Sequence, residues 1–528
     1  MRVIIPMSGI GRRFLEAGYT DPKPLIEVDG RPMIHHVIDL FPGESSFDFI
    51  CNDEHLATTR MRQCLEEKVP GCRIHEVSVN NRKGPVDAVL QIAAHGAIAD
   101  DEEYIVSYCD YGTTWDYHGF LAEMRGLSAD GGIAAYIGFH PHMLGSDNYA
   151  FMTHADKWLT DIREKQPFTQ SKMEEYASNG TYYFRTGAIL KEYFQRLVDR
   201  EMDVKGEYYV SLVYKLMVED GLRTRIFEIE KMLQWGTPRD LEEYKQWSAY
   251  FQARRRAPMV GGAPALEGTL ILPMAGAGSR FQMVGFKQPK PLLPIHERAM
   301  FLEAVDCLPK MEKTVVVCQA AHLDLYPIRE IVKKEWDGTV VAIDGVTEGQ
   351  ACTCEVAIRR ESDAIPLDKP ILITACDNGA YYDRAAFDAL VADPTVDCIV
   401  WAFTNTAATG QLYPHMYAWL DVDADGWIRD VSIKAPFKDR PNTHAIIGTM
   451  YFRSGSLFME GLQDIYANNI RTNNEFYVDN VIQALCKRGV KVKVFVVDHY
   501  LCWGTPNDYK TYLYWDEHFS GCRGWREG

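Results

Sequence analysis

Short apolar runs alternate with amphipathic stretches along the whole chain, and this alternation sets the expected fold class. Runs of strand length occur at Tyr104–Tyr108, Ile133–Phe139, Thr314–Cys318, Ile371–Ala375, Ile399–Phe403 and Val490–Val497. Helical spacing of apolar positions occurs at Val86–His95, Asp240–Arg254, Tyr477–Lys487 and Asn507–His518. Strands that alternate with helices predict an α/β fold, a mostly parallel sheet covered by helices. Ligands of such sheets sit beyond the carboxyl ends of the strands.

Two further apolar runs open the same pattern. Val3-Ile4-Ile5-Pro6-Met7 leads into Ser8-Gly9-Ile10-Gly11-Arg12-Arg13-Phe14 and then Asp21-Pro22-Lys23-Pro24-Leu25. Leu270-Ile271-Leu272-Pro273-Met274 leads into Ala275-Gly276-Ala277-Gly278-Ser279-Arg280-Phe281 and then Gln288-Pro289-Lys290-Pro291-Leu292. Gly9 to Gly276, Arg13 to Arg280, Lys23 to Lys290 and Asp110 to Asp377 are each 267 residues apart. Gly180 to Gly448, Glu207 to Glu475 and Trp235 to Trp503 are 268 apart, and Lys165 to Lys434 is 269. A near-constant offset of this size is duplication of a whole domain, since solenoid repeats recur every 20–50 residues or so. The reading is a first domain over 1–252, a linker over 253–267 and a second domain over 268–528. The linker is marked by Arg254-Arg255-Arg256-Ala257-Pro258 and Gly261-Gly262-Ala263-Pro264. Each domain is long enough to bury its own core.

Composition narrows the function classes. Apolar residues make up 47% and charged residues 24%, ordinary values for a globular enzyme. The net charge of -17 argues against a general nucleic-acid binder, although a local basic pocket still holds phosphates. No apolar run approaches the ~20 residues that span a bilayer, so no membrane partner is expected. The chain opens directly on a strand, with no signal-peptide pattern. The 13 cysteines are odd in number and scattered, and Cys352-Thr353-Cys354 is too closely spaced for a zinc pair. Reduced core cysteines and a cytoplasmic setting are the expectation.

The repeated segments carry the chemistry. Gly9 and Gly11, like Gly276 and Gly278, free backbone N–H groups, and the Arg and Lys that follow add two fixed cations. Together they form a cradle for a polyphosphate. The loop Gly-x-Gly-x-Arg-Phe followed by Pro-Lys-Pro-Leu resembles the sugar-phosphate nucleotidyltransferase family, the nucleoside-diphosphate-sugar pyrophosphorylases. The resemblance covers nearly all of both halves and implies two tandem GT-A/Rossmann-like domains. It also implies that Arg13 and Lys23, and Arg280 and Lys290, grip the triphosphate. Cations fixed in advance stabilise the charge that builds on the phosphoryl groups.

Further matches follow in order. Ile105-Val106-Ser107-Tyr108-Cys109-Asp110 and Leu372-Ile373-Thr374-Ala375-Cys376-Asp377 are strands ending in an acid. In the family this Asp binds Mg2+, a hard cation suited to carboxylate and phosphate oxygens. A second ligand, the Asp of an Asp-x-Gly-Thr segment, is replaced here by Gln234 and Cys502, with Glu230 and Asp498 as candidate substitutes. Lys83-Gly84-Pro85 and Glu348-Gly349-Gln350 resemble the base-recognition turn, where Gly84, Gly349 and Gln350 would meet the nucleotide or simply cap a helix. Lys165 and Lys434 match the lysine that holds the acceptor phosphate. Asn179-Gly180 and Glu207, and Gly448 and Glu475, continue the acceptor pocket. The pockets differ at Asn179 against Ile447 and at Ser211 against Asp479, which suggests unequal substrates.

The resemblance thus implies a Mg2+-dependent enzyme whose partners are an NTP and a phosphorylated acceptor, a sugar 1-phosphate being the first expectation. Pyrophosphate and an activated sugar for glycan synthesis would be the products. Three alternatives stay open: a GT-A glycosyltransferase, a cytidylyltransferase for a non-sugar phosphate, and a catalytic domain joined to a regulatory one. The glycosyltransferase lacks support, because Asp110-Tyr111-Gly112 and Asp377-Asn378-Gly379 are not Asp-x-Asp motifs.

Overall fold

The computed structural model describes residues 1–78, 80, 83–145, 147–256, 264–404, 414–438 and 443–521. The chain divides into two compact units, Met1–Lys245 and Gln246–Gly528.

In the first unit nine strands form one sheet. They are β1 (Arg2–Met7), β2 (Phe47–Asn52), β3 (Arg73–Val77), β4 (Tyr104–Ser107), β5 (Gly131–Tyr136), β6 (Ala150–Ala155), β7 (Trp158–Glu164), β8 (Tyr176–Phe184) and β9 (Thr224–Glu228). Their order is β3-β2-β1-β4-β8-β5-β9-β7-β6. β1 to β4 run parallel, with Val3 opposite Phe47 on one side and Ile105 on the other. β8 runs against both β4 and β5, and β9 is parallel to β5. β6 and β7 form a hairpin that joins β8 through β6.

The apolar runs are continuous because both faces of the sheet are covered. Successive side chains point to opposite faces. Ile4 packs with Ile50, Val106 and Val89 on one face. Val3 and Ile5 pack with Phe49, Ile34 and Leu65 on the other.

The second unit has β10 (Leu266–Pro273), β11 (Met311–Gln319), β12 (Thr339–Ile343), β13 (Ile371–Ile373), β14 (Cys398–Thr404), β15 (Ala418–Val422), β16 (Ile428–Ile433), β17 (Thr443–Phe452) and β18 (Val492–Val496). The order β12-β11-β10-β13-β17-β14-β18 repeats the first unit strand for strand, and β15 pairs with β16 and β17. The antiparallel member is again the one after the acid-ending strand, here β17. Ile271 points into one core with Val315 and Ile373, and Leu270 and Leu272 into the other with Val316 and Leu372. The expected α/β class, a mostly parallel sheet covered by helices, is what each unit adopts.

The domain limits shift at one point. The helix Pro238–Arg256 crosses the division, so residues 246–252 group with the second unit, not the first. The reason lies in its aromatic residues: within the second unit Trp247 meets Tyr512, Tyr250 meets His499, and Phe251 stacks on Phe519 at 5.4 Å. Of the expected linker 253–267, residues 257–263 lie outside the described residues. Residues 253–256 end the helix, and β10 begins at Leu266, two residues earlier than the sequence boundary.

Candidate functional site

In each unit the glycine loop leaves the carboxyl end of the first strand and the acid-ending strand lies beside it. Gly11 takes a left-handed φ of 67° to start the turn Arg12–Glu16, and Gly278 does the same at 64°. A Cβ on Gly11 would lie 3.4 Å from Cβ of Lys23, so the loop closes over the lysine. Gly9 and Gly276 face open space. The lysine itself is fixed by its prolines. Pro22 enters with φ -53° and ψ 140°, and the single turn Lys23–Leu25 closes through Leu25 N–H to the Pro22 carbonyl at 2.8 Å. The second unit repeats this at Pro289 and Lys290–Leu292.

Both lysines reach the strand-end acid. Lys23 Nζ donates to Asp110 and, at 3.1 Å, to the carbonyl of Gly236. Lys290 Nζ donates to Asp377 at 2.5 Å. Burial works against the charge on Lys290, but Asp377 holds its pKa above the ordinary lysine value. The Trp-Gly-Thr-Pro segments close the other side. Trp235 N–H donates to the Asp110 carbonyl at 3.2 Å, and Trp503 N–H to that of Asp377 at 2.9 Å. A Cβ on Gly236 or Gly504 would stand a tight 3.1 or 3.3 Å from the carboxylate.

Gly84 and Gly349 have a structural reason beyond the expected base contact. Their φ values are 96° and 139°, and a Cβ would meet backbone atoms of Tyr208 at 2.7 Å or of Phe476 at 2.5 Å. Tyr208 N–H donates to Lys83 O at 2.7 Å and Phe476 N–H to Glu348 O at 2.8 Å. This bridge brings Glu207 and Glu475 to the cleft. Gly9, Gly11, Lys23, Gly84, Asp110 and Glu207 line one cavity. Gly276, Gly278, Lys290, Gly349, Gln350, Asp377 and Glu475 line its counterpart.

Lys165 and Lys434 each follow a strand end in a left-handed conformation, φ 59° and 65°, unusual for a side chain with a Cβ. Lys165 N–H donates to Tyr149 O at 2.8 Å and Lys434 N–H to Tyr417 O at 3.0 Å, which holds the twist. Lys165 Nζ donates to the Tyr209 hydroxyl at 2.5 Å, and Lys434 Nζ to Met416 O at 2.5 Å. Burial pushes both lysine pKa values down. The charges of Arg13 and Arg280 push the same way, on Lys165 and Lys434 respectively.

In the second unit Arg280, Lys290, Gln350, Asp377, Lys434 and Gly448 line a single cavity. In the first, Tyr108 and Tyr209 form the wall of the cleft. Lys165 is bonded to Tyr209, and Gly180 lies against the Tyr108 ring. Asn179 is buried; its Oδ1 accepts from Thr181 N–H at 2.9 Å, and its Nδ2 has no partner.

Three further acids, Glu164, Asp240 and Asp508, matter that sequence reasoning did not weigh, and Asp479 entered it only as a difference between the units. Glu164 is half-buried beside Lys165 and accepts from Ser211 Oγ at 2.6 Å; desolvation raises its pKa. Ile433 takes its place in the second unit, and the carboxylate moves to Asp479. Burial pushes Asp479 up to about 6, against the pull of Lys434. Asp240 and Asp508 accept from Thr237 and Thr505 at 2.6 Å at their helix starts. Burial raises both, and for Asp508 the charge of Asp377 adds to it. Glu230 and Asp498 come just before the short strands Lys231–Gln234 and His499–Cys502, at the end of the strand away from Gln234 and Cys502, where their N–H groups bond the carbonyls of Thr114 and Tyr381. They are exposed, and the acid actually brought to Asp377 is Asp508. Among the described residues no group of three or more His, Cys, Asp or Glu side chains could enclose a metal by itself. One or two carboxylates completed by phosphate oxygens suit Mg2+, and the donors here fit that pattern. No helix is long and apolar enough to cross a membrane among the described residues.

No protein-family model matches the chain. Among solved structures it is similar to a nucleoside-diphosphate-sugar pyrophosphorylase from Vibrio cholerae, at 22% identity over 46% of this chain and 99% of that one, TM-score 0.39. It is also similar to UDP-glucose pyrophosphorylase from Acinetobacter baumanii (16%, 49% and 95%, TM-score 0.36). A third is the inositol-1-phosphate CTP transferase from T. maritima (13%, 45% and 90%, TM-score 0.35).

Proposed function

We propose that the chain is a tandem nucleotidyltransferase in which each unit holds one active site. The observation that carries this reading is the same Lys–Asp pair under a glycine loop in both units, Lys23 with Asp110 and Lys290 with Asp377. The matching strand order and the sequence offset support duplication of one ancestral domain.

In the proposed reaction a phosphate oxygen of the acceptor attacks the α-phosphorus of an NTP. A new O–P bond forms, the bond from the α-phosphorus to the bridging oxygen breaks, and pyrophosphate leaves with that electron pair. No general base is required, because a phosphate monoester is mostly dianionic at neutral pH. Lys23 and Lys290 leave their carboxylates for the triphosphate and, with Arg13 and Arg280, neutralise the charge of the departing pyrophosphate. Lys165 and Lys434 hold the acceptor phosphate for in-line attack. Asp110 and Asp377, the latter with Asp508, would hold Mg2+, which supplies charge neutralisation at the phosphate oxygens. A sugar 1-phosphate is the expected acceptor, and the product would be an activated sugar for glycan assembly.

The test is pyrophosphate release by the purified chain with each of four NTPs and a panel of sugar phosphates. Release should require an NTP, an acceptor and a divalent cation together. Transfer of sugar from a ready-made NDP-sugar, with no pyrophosphate chemistry, would refute the reading.

A further inference from the structure

The two units differ where an acceptor would lie. The residue two before the strand-end acid is Tyr108 in the first unit and Ala375 in the second. The Tyr108 ring packs edge-on to Tyr182 at 5.8 Å, and a Cβ on Gly180 would lie 3.0 Å from it. Its hydroxyl points to the backbone of Val210, close to Glu164 and Tyr209. Tyr108 therefore fills the space between the strand end and the start of the helix Val210–Glu219. In the second unit Ala375 leaves that space open. Ala375, Lys434, Tyr477 and Asp479 line the same cavity, with Ile433 and Ile447 as its apolar wall.

The carboxylates differ as well. Glu164 is already satisfied by Ser211. Asp479 faces the open cavity, and no side-chain donor reaches it among the described residues. A half-buried carboxylate reached only by its own backbone N–H gains from a donor supplied from outside. The hydroxyl groups of a sugar are such donors, and Lys434 stands ready for the phosphate of the same molecule.

Resting on the nucleotidyltransferase reading, we propose that the two acceptor pockets select phosphates of different size. The second takes a polyhydroxylated ring phosphate with a hydroxyl donated to Asp479. The first takes a short-chain alcohol phosphate, because the Tyr108 side chain occupies the ring position.

The test uses the full chain with one site silenced, by Asp110→Asn to read the second unit or by Asp377→Asn to read the first. Glucose 1-phosphate and glycerol 3-phosphate are the acceptor probes. In the second unit Ala375→Tyr should lower kcat/KM for glucose 1-phosphate about 100-fold, as expected when a filled pocket rejects a ring. Asp479→Asn should raise its KM about 10-fold, with the KM for NTP changed less than about 2-fold. In the first unit Tyr108→Ala should raise turnover of glucose 1-phosphate at least about 10-fold. If that variant unfolds, as circular dichroism would show, Ala375→Tyr decides the matter alone. The proposal is overturned if both units share one acceptor preference, or if Ala375→Tyr keeps full activity on glucose 1-phosphate. Failure of every acceptor to release pyrophosphate would instead defeat the nucleotidyltransferase reading itself.

Discussion

The two units share one glycine loop with its Lys–Asp pair and differ in the pocket beyond it. Lys23–Asp110 and Lys290–Asp377 are held by the same prolines, the same glycine turns and the same Trp-Gly-Thr-Pro backbone. Glu164 and Asp479, by contrast, supply a half-buried carboxylate from different elements, a strand end and a helix start. On the proposed reading, geometry that positions charge on a triphosphate is kept because the chemistry of attack is common to both units. Residues that would meet the variable part of a substrate are free to change, and here they change in pairs: Glu164 with Ser211, Ile433 with Asp479.

The largest expected effect falls on the shared part. Lys23→Ala or Lys290→Ala should lower turnover of its own unit by about 10²–10³, the size of losing one preorganised electrostatic contact. Full activity in either variant, read by pyrophosphate release with the other unit silenced, would break the equivalence of the cradles. A smaller effect is expected at the acceptor lysines. Lys165→Ala and Lys434→Ala should raise acceptor KM by about 10-fold or more, the loss of one charged contact to phosphate, with little change in kcat. A fall in kcat at unchanged KM would place these lysines on the nucleotide instead.

The smallest effect sharpens the difference. Asp479 has a folded-state pKa of about 6, above that of an unfolded chain. Such a group favours the folded state only while protonated there, so its contribution is lost as pH rises from about 4 through 6. Asp479→Asn should therefore stabilise the second unit by on the order of 1 kcal/mol at pH 7 and by nothing below about pH 4. Urea unfolding at the two pH values reads this directly. An equal shift at both would show that Asp479 is not held in a desolvated place.

Much of this was legible in the chain because it rests on local chemistry. The apolar runs of β1 and β10, the proline-flanked lysines and the strand-end acids are each short-range signals. The direction of β8 was not legible, since a strand buried on both faces carries the same apolar pattern whichever way it runs. The grouping of residues 246–252 with the second unit was not legible, because helical periodicity is continuous across them while the partners of Trp247 and Phe251 are distant in sequence. Asp508 reads as an ordinary helix cap, and only the fold brings it to Asp377. Tyr108 stood in full view just before the strand-end acid, but its packing against Tyr182 and Gly180 is a tertiary fact.

The central claim is that each unit carries its own nucleotidyl-transfer site built on one Lys–Asp pair. The most direct measurement is pyrophosphate release, with NTP and acceptor mixtures, by Asp110→Asn, by Asp377→Asn and by the double variant, each confirmed as folded. Either single variant should keep the activity of the intact unit, the two residual activities should sum to that of the unmodified chain, and the double variant should be inactive. Abolition of all activity by one single variant, with the chain still folded, would contradict two separate sites.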